Sequence, residues 1–145
     1  MRYQQFPVPT DDLDPEDAKI VRLARVARQR AHTPHGGPAQ GAAVRDRDGR
    51  TYAAATVEHS DPACTVSALA GALSAAYSSG ARGFEALVLL AAPDPVAVTP
   101  RDRLLLAELA PGVPVLLADT NGIVVTVLDG RSAGAAGGTD PGPPR

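Results

Sequence analysis

The chain has no tryptophan and only two phenylalanines and three tyrosines. That leaves little material for the stacked aromatic platforms on which single-stranded nucleic acid is held. It carries one cysteine, Cys64, which excludes an internal disulfide and any metal centre built from several thiolates. Neither sign of charge is in large excess, and the formal net charge is −2. A general attraction to polyanions shows as a clear basic surplus, so nucleic acid or an anionic membrane would need a local patch. No apolar run approaches the roughly 18 residues of a membrane span. The start, MRYQQFPVPTDD, lacks the charged-then-apolar layout of a secretory leader. The expectation is a soluble cytoplasmic protein without membrane contact, and 145 residues suffice for one domain with a real core.

What is present reads as alternating helices and strands. Residues 1–13, with Pro7 and Pro9 and no periodicity, read as a flexible lead-in. Asp14-Pro15-Glu16-Asp17 announces a helix, with Asp14 as N-cap and Pro15 at its first position. Ile20, Leu23, Ala24 and Ala27 give that helix one apolar face, while Lys19, Arg22, Arg25, Arg28 and Arg30 decorate the remainder. Such a face is ordinarily solvated, and its sharper reading is a phosphate or RNA contact. The loop His32–Gln40 follows, holding two of the three histidines. A histidine pair with no third ligand nearby reads as exposed and structural. Gly41–Arg45 and Thr51–Val57, joined through Asp48-Gly49, form a hairpin.

Asp61-Pro62 offers the next helix start, with Thr65 as a later cap. Val66, Leu69, Ala70, Leu73, Ala76 and Tyr77 make its apolar stripe, and Gly80 stands where a terminating glycine belongs. Cys64, before it, reads as a buried or half-exposed structural thiol. Phe84–Ala92 is a short continuous apolar run, as in a strand buried on both faces. Thr99-Pro100-Arg101-Asp102 resembles a capping box with Asp in place of Glu, followed by Leu105, Leu106 and Leu109. Val113–Ala118 and Ile123–Leu128, separated by Asn121-Gly122, complete the strands. Residues 14–129 therefore read as an α/β domain, a mixed five-stranded sheet with helices on both faces in a three-layer α-β-α sandwich. Residues 130–145, rich in Gly, Pro and Ala, read as a disordered tail.

The chain from about Asp14 to Asp129 resembles the free-nucleoside cytidine deaminase family, which has this helix order around a five-stranded sheet. Ala31–Ala43 matches without gaps the family's Ala-Tyr-x-Pro-Tyr-Ser, a Phe two residues on, then Val-Gly-Ala-Ala. Ala31, Pro34 and Gly41-Ala42-Ala43 keep the pattern, His32 and His35 take the two Tyr positions, and Pro38 takes the Phe position. Against the family's Cys-Asn-Val-Glu-Asn stands Ala55-Thr56-Val57-Glu58-His59. Of the two residues that usually hold ribose hydroxyls, the Asn has become Thr56 and the Glu survives as Glu58.

The family's catalytic blocks are replaced. Zinc deaminases use a Cys or His ligand two residues before a Glu proton shuttle, then Pro-Cys-x-x-Cys, leaving one zinc position for the attacking hydroxide. The resemblance puts Ser67 at the first ligand position and Leu69 at the Glu position. It puts Thr99 and Asp102 at the two cysteines, anchored by Leu106-Ala107-Glu108-Leu109. Neutral hydroxyls are very poor zinc ligands, and Leu69 has no group to carry a proton. No cofactor is expected, although zinc is usual for the family.

The resemblance therefore implies a pseudoenzyme with a binding or scaffolding role. Thr56, Glu58, His59 and Ser67 are its candidate nucleoside-binding residues, and no residue is assigned to catalysis. A first alternative is an active nucleoside deaminase with altered chemistry or a site completed by another subunit. A second is an RNA- or ribosome-associated adaptor using Lys19, Arg22, Arg25 and Arg28. Cytidine deaminases usually assemble as dimers or tetramers, so a homo-oligomer is expected.

Overall fold

The computed structural model describes residues 3–92 and 97–129. The tail expected over 130–145 lies outside the described residues. Helix α1 (Pro15–Arg28) is followed by strands β1 (Gly41–Asp46) and β2 (Thr51–Ala55), and then by α2 (Ala68–Ser78) and β3 (Phe84–Leu90). Helix α3 (Pro100–Leu109) precedes β4 (Val115–Ala118) and β5 (Val124–Leu128). The strands form one sheet in the order β2-β1-β3-β4-β5. Only the β3–β4 pair is parallel among its four pairings, so the sheet is mixed as the sequence implied. A parallel pair needs a crossover, and α3 supplies it.

Two apolar layers sandwich the sheet. Leu87 and Leu89 of β3 join Leu69, Leu73 and Leu106 on the side of α2 and α3. Ala86, Val88 and Leu90, the alternate residues, join Ile20, Val21 and Ala24 of α1 on the other. This alternation explains why β3 reads as an unbroken apolar run: both faces are covered. Burying a side chain such as Leu73 contributes roughly 2 kcal/mol.

The hairpin turn is fixed by Asp46, whose Oδ1 accepts from the N–H groups of Asp48 and Arg50, each at 2.9 Å, while Oδ2 accepts from Tyr52 Oη at 3.0 Å. Burial pushes the Asp46 carboxyl up, but these bonds and the Arg50 charge together outweigh it and hold it below the ordinary carboxylate range. Beside it the register slips: Arg45 faces Ala86 and Asp46 faces Phe84, so Glu85 is the extra residue of a bulge. Arg45, 5% exposed, donates to Glu85 Oε1 at 2.9 Å, to the Glu16 carbonyl at 2.9 Å and to Asp17 Oδ1 at 3.2 Å. A buried guanidinium is sustained only when its N–H groups find such partners.

Three local expectations need correction. The stretch read as a flexible lead-in is docked from Tyr3 onward. Val8 exchanges both backbone hydrogen bonds with Val124 at 2.9 Å, and Tyr3 Oη donates to Asp17 Oδ2 at 2.7 Å. Asp14 sits at the N-cap of α1, but its side chain makes no capping bond; its own N–H donates to Tyr3 Oη at 2.9 Å. Asp61-Pro62 opens only a single 3-10 turn, Pro62–Cys64, and α2 begins later with Ser67, not Thr65, as its cap. Val66 accordingly falls outside the helix and is 45% exposed, and Cys64, read as buried or half-exposed, is exposed. Among the described residues no helix is long and apolar enough to cross a membrane.

Candidate functional site

The site lies where the N-termini of α2 and α3 meet. Ser67, extended at φ −70° and ψ 157°, caps α2: its Oγ accepts from the Ala70 N–H at 3.0 Å. Thr99 caps α3 in the same way, its Oγ1 accepting from the Asp102 N–H at 3.2 Å. Both helices start here because a hydroxyl satisfies an amide that has no partner within the helix. The expected capping box is only half made, because the Asp102 carboxylate turns to the other helix. Ser67 Oγ donates to Asp102 Oδ1 at 2.7 Å across 35 residues of chain. Three of the four positions singled out from the sequence are thus one connected group.

The fourth, Leu69, is fully buried within the apolar layer that includes Leu73, Leu106 and Leu89. It does packing work and can neither hold nor pass a proton.

Asp102 is 2% exposed. Burial raises its carboxyl above the ordinary range, opposed by the Ser67 hydrogen bond and the Arg101 charge. The chain reading did not single out Arg101, whose Nη1 also reaches the Ala63 and Thr65 carbonyls at 3.4 and 3.5 Å. Its only signal in the sequence was adjacency to Asp102.

Zinc does not fit this donor set. Two neutral hydroxyls already serve as caps, one carboxylate is shared with a hydroxyl, and the remaining position is hydrocarbon. Among the described residues no three His, Cys, Asp or Glu side chains gather as a metal site.

The second group is carried by the end of β2. Val57 and Val66 form an antiparallel bridge, with N–H···O distances of 3.0 and 2.9 Å. This sets Thr56–Glu58 alongside Thr65–Ser67 and so beside the capping pair. Thr56, 7% exposed, is tied to Gln40: its Oγ1 accepts from the Gln40 N–H at 3.1 Å and donates to the carbonyl at 3.5 Å. Glu58 grips the His32–Gln40 loop, with Oε1 accepting from the His35 N–H at 2.7 Å and Oε2 from the Gly37 N–H at 2.9 Å. A side chain at Gly37 would meet that carboxylate, so Glu58 would have to shift its grip on the loop. His32 and His35 are exposed, and His32 is joined through its backbone to Thr56 and Glu58. His59 is oriented by Asp61, whose N–H donates to Nδ1 at 2.9 Å. In the neutral ring this leaves the proton on Nε2.

Comparison with known proteins agrees with this architecture. The cytidine deaminase-like family model matches residues 13–122. Among solved structures, cytidine deaminase from Burkholderia pseudomallei is 26% identical, with a TM-score of 0.74 over 79% of this chain and 93% of that one. Cytidine deaminase from Mycobacterium leprae is 23% identical, with a TM-score of 0.62 over 74% and 90%, a likeness of fold. The enzyme from Mycobacterium tuberculosis is 26% identical, with a TM-score of 0.61 over 73% and 85%. No curated protein sequence gives a significant match. With the family model matching residues 13–122, well over half of its length, the chain belongs to the cytidine deaminase-like family.

Proposed function

We propose that this protein is a pseudoenzyme of that family, a nucleoside-binding or scaffolding protein without hydrolytic activity. One observation carries the reading: Ser67 and Asp102, which stand at ligand positions, are hydrogen-bonded to each other at 2.7 Å. Deamination of a pyrimidine needs an ionised water and a carboxyl that moves its proton to the leaving ammonia. Ser67, Thr99 and the buried Leu69 serve neither requirement, and the one carboxyl among these positions, Asp102, is engaged by Ser67.

Binding in this reading falls to Thr56, Glu58, His59 and Ser67. Each carboxylate oxygen of Glu58 has a second lone pair beyond the loop amide it accepts. His59 Nε2 supplies a donor, and Ser67 Oγ keeps acceptor capacity beside its two bonds. These groups suit the hydroxyls and polar edge of a nucleoside held without chemistry.

The test is a paired measurement on purified full-length protein: zinc content after incubation with excess Zn²⁺, and ammonia release from cytidine. The expected result is zinc well below one per chain and no turnover. One firmly held zinc per chain together with cytidine hydrolysis would sink the proposal and favour a site completed between subunits.

A further inference from the structure

The basic face of α1 is not uniform. Arg28 is turned inward, its Nε donating to the Ala39 carbonyl at 2.9 Å, and Arg22 shares one nitrogen with Asp11 at 3.1 Å. Arg25, one turn along from Arg22, donates to no acceptor among the described residues. These two arginines line a notch of about 250 Å³ with Thr10, Asp11, Asn121 and Ile123. Two docked segments build it. The lead-in is pinned to β5 through Val8 and Val124, and the Asn121-Gly122 turn is held by Thr10 Oγ1, which donates to the Gly122 carbonyl.

We propose that this notch binds the phosphate group of a small phosphate monoester, at a site separate from the α2–α3 cleft and independent of its chemistry. Guanidinium groups present paired N–H donors that match phosphate oxygens. Arg25 and the uncommitted nitrogens of Arg22 supply them, and Asn121 of the turn lines the same notch. Ile123, half-buried, offers hydrocarbon to the organic part. The volume lies just under the roughly 300–1,000 Å³ typical of pockets for drug-sized ligands, so a compact ligand fits. A nucleic-acid strand is disfavoured, because it would have to run on past Asp11, which lines the notch, and the exposed Asp12 next to it in the chain, whereas a single phosphate needs only the arginine side.

The experiment is an NMR titration of the ¹⁵N-labelled full chain with inorganic phosphate at constant ionic strength. The same titration follows on Arg25→Gln and Asp11→Asn, both exposed positions. Saturable shifts at the Arg22, Arg25, Asn121 and Ile123 amides are expected. Affinity should fall about ten-fold in Arg25→Gln, as for loss of one charge-assisted hydrogen-bonding group. It should rise several-fold in Asp11→Asn, which removes the competing carboxylate. The proposal is overturned by shifts that chloride reproduces at equal ionic strength, or by unchanged affinity in Arg25→Gln. Tighter, steeply salt-dependent binding of a single-stranded RNA oligomer to the same residues would also overturn it, in favour of a nucleic-acid surface.

Discussion

At Asp102 two forces oppose each other. Helix N-termini favour a carboxylate placed at them, whereas burial in the α2–α3 seam disfavours its charge, and burial wins. A carboxyl that holds its proton more tightly folded than unfolded stabilises the fold below its unfolded value. That contribution is lost as pH rises through the folded value. Asp102→Asn cannot ionise and still accepts from Ser67. Its melting temperature relative to the parent should therefore climb from acid pH, below the ordinary carboxylate range, to neutral pH. A flat or reversed trend in thermal melts would show that the charge is welcome there. Ser67→Ala removes a cap, costing about 1 kcal/mol, and strands a buried acceptor at about 1–3 kcal/mol. The second loss should shrink in an Asp102→Asn background, a coupling that a double-mutant cycle reads directly. Part of this was legible in advance, since Thr99 and Asp102 read as a capping box and the resemblance set them at one site with Ser67, whereas the cap of α2 was expected at Thr65. The contact between Ser67 and Asp102 was not, because nothing local links residues 35 apart. Nor was the grip of Glu58 on the loop, since its partners are backbone amides that every sequence carries.

The elements were read largely from periodicity, and the differences come where tertiary contacts override local signals. Asp61-Pro62 is a sound helix start locally, and Asp61 Oδ1 does accept from the Ala63 N–H at 3.0 Å. The chain leaves that turn after Cys64 because Val66 is drawn into its bridge with Val57. Likewise Tyr3 and Val8 are ordered by Asp17 and Val124, partners remote in sequence. α1 and β1 meet backbone to backbone at Gly41, the first residue of β1, where an added Cβ would strike the Ala24 carbonyl and the Arg28 backbone nitrogen of α1. Neither backbone group can step aside without shifting the helix. Gly41→Ala should therefore cost about 1–3 kcal/mol, the usual range for overpacking. Chemical denaturation would show it as a lower midpoint with unchanged slope. Tolerance of the methyl would mean that α1 rides loosely on the sheet.

For the whole molecule, the expectation of self-association can be put to a test at one small patch. Val57 and Val66 are 52% and 45% exposed and are bridged to each other, just beyond the end of β2. That strand has one unpaired edge, a natural template for another chain. If copies meet there, light scattering on the purified protein should give a mass above one chain. Val57→Asp should return it to a single chain with little change in melting temperature; a monomeric parent would remove this surface from consideration. Fold and family were accessible because they rest on many small agreements spread along 14–129. Activity rests on a few atoms, which a likeness of fold does not report. A carboxylate placed at Leu69 would sit unpaired in hydrocarbon, at a cost of several kcal/mol. On the proposed reading, giving this seam a proton carrier therefore takes more than one exchange: the surrounding leucines would have to make room and offer it a hydrogen-bonding partner first.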